Sequence, residues 1–233
     1  MSGPFLFPPP APVSLAIVGS SQRFPVRRVY CIGRNYAEHA REMGVEGEAA
    51  APVFFLKPGD SVVDLPGPVR YPSATADLHH EVELVLALAA GGSDLDESQA
   101  HAAIFGHAIG LDLTRRDLQS AAKALRQPWD TGKSFEQAAP VGPIHPVADG
   151  HHSDRPDRGE ISLEVNGQVR QRGDLAQMLL TPVQIVAALS RLYTLAPGDL
   201  VFTGTPAGVG PLRRGDRFTA RIQGLASVSG TII

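Results

Sequence analysis

The sequence predicts an α+β fold in which β-structure dominates. Three observations predict it. The 24 glycines and 20 prolines are scattered along all 233 residues, so elements should be short and joined by turns. Strand-like apolar runs outnumber helical ones. The regular strand–helix alternation of a doubly wound parallel sheet is missing. A chain of this length, 43% hydrophobic and 19% charged, should bury one sizeable core and leave little disorder.

The elements follow in order. Residues 1–25 read as an extended arm with a short strand at Ser14–Val18, and residues 26–233 as a single catalytic domain. A strand is expected over Arg28–Ile32. Gly33-Arg34-Asn35 then turns into a short helix, Tyr36–Met43, followed by a small acidic loop at 44–52. Val53–Lys57 reads as a strand and Pro58-Gly59-Asp60 as a turn. Glu81–Ala89 reads as a strand buried on at least one face. Asp94 is a candidate N-cap for a helix over Leu95–Ile104. Thr114-Arg115-Arg116-Asp117 has the form of a capping box and should open a helix reaching about Arg126. Ile161–Val165 and Gln168–Arg172 flank Asn166-Gly167, a strong hairpin signal. Thr181-Pro182 supplies an N-cap and an N1 proline for an amphipathic helix over Val183–Leu192. A strand at Leu200–Phe202, a Gly-rich loop at Gly204–Gly210 and strands at Phe218–Ile222 and Ser227–Ile233 complete the chain.

Charge and composition exclude several classes. The formal charge is −3 and no long Lys/Arg run is present, which argues against nucleic acid. One cysteine, Cys31, sits in an apolar run and reads as a buried bystander. The N-terminus lacks a signal-peptide pattern, and no apolar stretch reaches the roughly 18 residues of a spanning helix, so a soluble cytoplasmic protein is expected.

Glu81 and Glu83 are two apart on a predicted strand and share one face. Taken alone, such a pair fits an exposed strand face. Here Leu84, Leu86 and Leu88 line the opposite face, and Val85, Ala87 and Ala89 follow on the same one, so the strand should be covered on both sides. Two like charges inside it need a partner, and a hard divalent cation supplies one. Asp112 is a third acid in an apolar run; its plainer reading is a helix cap. Together the three favour Mg2+, Mn2+ or Ca2+ over zinc, because no Cys or His ligand spacing accompanies them.

His39 and Glu42 stand i and i+3 on one helix, as an ordinary surface pair or as a carboxylate-oriented imidazole that deprotonates water. Arg116 and Gln119, also i and i+3, are either helix surface or donors to a bound substrate. Lys133, after Gly132, is weak on its own. Thr205 sits in a Gly-rich loop that lacks the Lys-Ser/Thr of a phosphate-binding loop.

The segments Tyr30–His39, Phe55-Leu56-Lys57-Pro58, His79–Leu84, Gly110–Gln119, Gly132-Lys133-Ser134-Phe135 and Phe202–Gly210 resemble, in order, those of the fumarylacetoacetate hydrolase family. Arg34-Asn35-Tyr36 and Thr114-Arg115-Arg116-Asp117 look closest to its acylpyruvate and fumarylpyruvate hydrolase branch. The resemblance implies a mixed β-roll with short peripheral helices, a homodimer, and Mg2+ or Mn2+. It assigns Glu81, Glu83 and Asp112 to the metal, and His39 with Glu42 to a water-activating dyad on a mobile lid. Lys133, Arg116, Gln119 and Thr205 then surround a small keto acid, with Arg34 or Arg115 as the cation for a distal carboxylate. The expected reaction is hydrolysis of a carbon–carbon bond in a 2,4-dioxo acid, foremost fumarylpyruvate to fumarate and pyruvate. Oxaloacetate decarboxylation, a related isomerase or hydratase, and a non-catalytic metal-binding scaffold are the alternatives.

Overall fold

The computed structural model describes residues 5–42, 53–147 and 157–233, with no account of the side chains of 40–42. The small acidic loop expected at 44–52 falls outside them, as does Met43 at the end of the first predicted helix.

Two sheets carry the fold. The larger runs in the order Val53–Pro58, Arg28–Gly33, Leu200–Phe202, Val82–Leu88, Ile104–Leu111, Ala139–Val141, Val62–Asp64, and His145–Pro146 also pairs with Ile104–Leu111. It is mixed: Leu200–Phe202 lies parallel to Arg28–Gly33, and Ala139–Val141 parallel to Val62–Asp64, while Val82–Leu88 is antiparallel to both neighbours. The second sheet runs Gln168–Asp174, Glu160–Val165, Arg217–Ile222, Val228–Ile232, Gly67–Val69. A small third sheet joins Thr114–Arg115, Leu78–His80 and Gly210–Leu212. Among the described residues, five short α-helices lie around them: α1 (Ala37–Glu42), α2 (Glu97–Ala103), α3 (Arg116–Ala124), α4 (Asp130–Lys133) and α5 (Pro182–Ser190). The expected β-rich architecture with peripheral helices is present.

The central strand Val82–Leu88 is buried at every residue. Its side chains alternate between two apolar clusters. Val82, Leu84, Leu86 and Leu88 join the core shared with the second sheet. Val85 and Ala87 join a smaller cluster completed by Leu15 and Phe24 of the N-terminal hairpin Ser14–Ala16/Arg23–Pro25. Both faces are therefore covered, as the apolar residues on both sides of Glu81-x-Glu83 predict.

Local sequence explains most element ends. The Asn166-Gly167 turn has φ of 52° and 76°, the left-handed pair that a two-residue hairpin needs. Thr181 caps α5 by accepting from Gln184 N, and Gln184 bonds back to Thr181 N.

Two expected caps are corrected. Helix α2 starts at Glu97 rather than Leu95, because Asp96, not Asp94, has Gln99 three residues on to complete a reciprocal box. It also ends at Ala103, where a long strand begins at Ile104. Thr114 does not cap α3. It lies in a strand, accepts from Lys133 Nζ at 2.7 Å and donates to Asp112 O at 3.2 Å, so its hydroxyl is already used. Asp117 instead accepts from Thr75 Oγ1 at 2.6 Å and Ala76 N at 3.1 Å, tying a loop to the helix.

Candidate metal centre

The register of one antiparallel pair assembles the three acids. Glu83 pairs with Gly110 and Val82 with Leu111, so the next step along the ladder sets Glu81 opposite Asp112. A main-chain bond from Asp112 N to Glu81 O (2.9 Å) continues that register past the last strand residues. Asp112 is two residues beyond Gly110 and so falls on the Glu83 face. One ligand oxygen from each of Glu81, Glu83 and Asp112 lies within 4.8 Å of the others, and all three side chains are buried.

Three buried cations face these acids. Lys133, the last residue of α4, donates from Nζ to Asp112 Oδ2 (2.6 Å), Glu81 Oε2 (2.9 Å) and Thr114 Oγ1 (2.7 Å). Arg116, the first residue of α3, bonds Glu81 Oε1 and donates to Gln119 Oε1 at 2.6 Å. Guanidinium is donor-only, so Gln119 must present its carbonyl oxygen there and keeps its amide N–H groups for another partner. Lys57 places Nζ 2.8 Å from Asp112 Oδ1 and donates to Leu113 O at 3.0 Å and to Lys133 O. Lys57 was not singled out as a site residue in the sequence.

The electrostatics separates the acids. Burial disfavours the charge on Glu81, but Lys133 and Arg116 outweigh burial and hold its pKa well below the usual carboxylate range. Burial, then the charges of Asp112 and Glu81, push Glu83 well above that range, although Gly204 N donates to its Oε2 at 2.6 Å. Burial also pulls on Lys133, yet Asp112 and Glu81 raise its pKa overall. Gly204 has φ +95°, and a Cβ there would stand 2.8 Å from Asn35 Cβ, so only glycine brings this N–H so close to Glu83.

The donor set fits a hard divalent cation. All candidate ligands are oxygens, as Mg2+ and Mn2+ prefer, and zinc's sulfur and nitrogen donors are missing from the set. Asp112 Oδ1 is buried without an aligned hydrogen-bond donor, since Lys57 meets it at ion-pair distance only. With every carboxylate ionised, three anions face three cations. A dication added to this cluster leaves two positive charges in surplus. The three acids and a dication by themselves would carry one net negative charge; the buried cations reverse the sign and call for an anionic ligand.

A cleft of about 570 Å³ opens over the triad. His39, Arg34, Arg116, Gln119, Lys133 and Thr205 all line it, so the expected site residues other than Glu42 and Arg115 meet in one cavity. Glu42 ends α1, and its side chain lies outside the described residues. His39 is buried on α1. That helix is anchored by Asn35, whose amide bonds Thr203 O (2.9 Å) and Leu180 O (3.0 Å) and accepts from Leu180 N (2.8 Å). The Thr205 hydroxyl donates to Val82 O and accepts from Gln171 Nε2, both at 2.8 Å. Gln171 was missed in the sequence: it is the buried residue of an otherwise exposed or half-buried strand, and its Oε1 also meets Val82 N and His80 Nδ1. Arg115 is not among the residues lining the cleft; its guanidinium stacks 4.4 Å from the Phe135 ring centroid. Cys31 is fully buried, and burial, then the Asp112 charge, raise its pKa well above the usual thiol value, as a bystander requires.

Comparison with known proteins gives a consistent picture. Residues 28–233 match the profile of the fumarylacetoacetate (FAA) hydrolase C-terminal region. The oxaloacetate tautomerase YcgM of Escherichia coli K12 is 40% identical over 88% of this chain and 93% of its own. A fumarylpyruvate hydrolase of a Ralstonia species is 41% identical over 77% and 91%. The crystal structure of fumarylpyruvate hydrolase from Pseudomonas aeruginosa, in complex with Mn2+ and pyruvate, superposes with a TM-score of 0.94 at 48% identity, covering 99% of each chain.

Proposed function

The chain belongs to the fumarylacetoacetate hydrolase family, and from that premise we propose that it hydrolyses the carbon–carbon bond of an acylpyruvate, foremost fumarylpyruvate to fumarate and pyruvate. The observation that carries the reading is the meeting, in one cleft, of an oxygen-only triad, a buried lysine bridging two of its members, and a buried histidine on a separate helix.

Bound at Glu81, Glu83 and Asp112, Mg2+ or Mn2+ supplies the positive charge that stabilises a developing enolate. The chain's own groups do the rest. Arg116 and the Gln119 amide take the substrate's 1-carboxylate and 2-oxo group, and the Thr205 loop closes the other side. His39 accepts a proton from water, which attacks the 4-carbonyl carbon. Glu42, one helical turn on, orients the imidazole. The bond between that carbon and the adjacent methylene then breaks, and its electron pair passes into the enolate of pyruvate. Lys133, whose three N–H groups are shared among Glu81, Asp112 and Thr114 before substrate arrives, turns one of them to the enolate oxygen as charge builds there.

A second reading has specific support. The cations around the triad would serve any enolate, and an oxaloacetate tautomerase is among the relatives at similar identity. Tautomerisation and decarboxylation of oxaloacetate need no attacking water. His39→Ala should therefore lower fumarylpyruvate hydrolysis by roughly 100-fold or more and oxaloacetate turnover much less, at saturating Mn2+. Equal loss of both, followed by diketo-acid absorbance, removes His39 from the role of water base.

A further inference from the structure

Three cations with no task in the bond-breaking steps, Arg34, Lys123 and Arg126, line the same cleft. On α3, Arg116, Gln119 and Lys123 fall at i, i+3 and i+7, on one helix face. All three line the cleft, and so does Arg126, two residues beyond the helix. At 1.5 Å per residue, Lys123 lies about 10 Å along the axis from Arg116. Helix α3 thus runs like a ruler from the carboxylate triad towards the rim. Arg34, on the turn before α1, lines the cleft as well.

The backbone reinforces this. Arg34 and Arg126 have φ of +66° and +54°, the left-handed region that favours glycine. Arg126 occupies the helix-ending position where glycine is usual, with Gln127 N bonded to Ala122 O at 2.8 Å. Among the described residues, none of Arg34, Lys123 and Arg126 forms an ion pair with a carboxylate. The Lys123 ammonium stands 5.1 Å from the Trp129 ring centroid. Its pKa is lowered, first by burial and then by the positive charge of Arg116, with Lys133 and Arg34 adding to it against an opposing pull from Glu81. These cations repel one another, and an anionic ligand relieves the repulsion.

We propose that Lys123 and Arg126, together with Arg34, form a second anion subsite that takes the terminal carboxylate of a dicarboxylic 2,4-dioxo acid. The inference rests on the hydrolase reading and deepens it: the enzyme selects acyl groups that end in an acid. Acetylpyruvate lacks that acid.

The test uses the Mn2+-loaded enzyme and the double variant Lys123→Met/Arg126→Gln. The kcat/KM for fumarylpyruvate divided by that for acetylpyruvate should fall at least ten-fold, a ratio that misfolding cannot mimic because both substrates sample the same active molecules. An unchanged ratio overturns the subsite. If the wild type turns over neither acylpyruvate, the hydrolase reading fails and the subsite is judged by calorimetric titration with fumarate in the presence of pyruvate. Weakening of fumarate binding by ten-fold or more in the double variant then supports the subsite, and equal affinity, or no binding by the wild type, overturns it.

Discussion

The Lys57 ammonium is buried beside Asp112 and bonds the carbonyls of Leu113 and Lys133, so it grips one candidate metal ligand and the main chain of the site's lysine together. Lys57→Met keeps the stem and removes the charge. Asp112 then loses a counterion and two carbonyls lose a donor, a loss of about 3–5 kcal/mol by analogy with other broken buried pairs. Urea unfolding of the metal-free protein measures it, and a loss below about 1 kcal/mol would show that Lys133 alone satisfies Asp112. Lys57 is open to the same reasoning that finds the triad, since a charge inside an apolar strand needs a partner. It escapes notice because a single lysine names no chemistry, whereas two glutamates on one face do. Gln171 is beyond reach. Its strand is exposed or half-buried at its other positions, so no pattern marks the one residue that turns inward to hold Thr205.

At the scale of elements, long buried strands and capped or hairpin-forming segments are legible: Arg28–Gly33, Val82–Leu88, the Asn166-Gly167 hairpin and α5 all follow from local pattern. Ile104–Leu111 is not, although it ends beside Asp112, because its opening continues the apolar run of α2. The three-residue strands Val62–Asp64, Gly67–Val69 and Ala139–Val141 are too short for any period to show, and pairing partners create them. Register is likewise a property of two strands, so neither strand's sequence by itself dictates that Glu81 meets Asp112. The pairing of Ile104–Leu111 with His145–Pro146 has a pH consequence. His107 faces His145 across it, and burial, helped by the charges of His101 and His145, lowers its pKa from 6.5 to about 4. The unfolded chain therefore binds the proton more readily than the fold does. Stability from this group is complete above about pH 6.5 and is lost as pH falls through about 4, by roughly 3 kcal/mol at the limit. Unfolding free energies for wild type and His107→Gln should converge as the pH drops across this window. Parallel curves would show that His107 does not titrate differently in the fold.

For the whole molecule, the triad and its cations join segments spread from Lys57 to Lys133, and Gly204 and Thr205 tie in the C-terminal third. A ligand held there should stabilise the entire fold rather than one loop. At a Mn2+ concentration 100 times its dissociation constant the gain is about 2.7 kcal/mol, or roughly 5–11 °C in Tm for a chain of this size, reversible with chelator. The gain should depend on pH with a fixed sign. Burial and the neighbouring charges of Asp112 and Glu81 raise the Glu83 pKa above 4.5, so in the metal-free fold this group holds its proton more tightly than in the unfolded chain. Its contribution to metal-free stability is present below pH 4.5 and is lost as pH rises through the raised value. A cation needs the ionised carboxylate, so binding expels that proton and strengthens as pH rises. The Mn2+-induced rise in Tm should accordingly be larger at about pH 7.5 than at about pH 5.5. Calorimetry in buffers of different ionisation enthalpy should show proton release on binding, and Glu83→Gln should abolish most of both. An increment independent of pH would mean that Glu83 is already ionised before the metal arrives, and that the three buried cations neutralise the triad more completely than the cost of burying it allows.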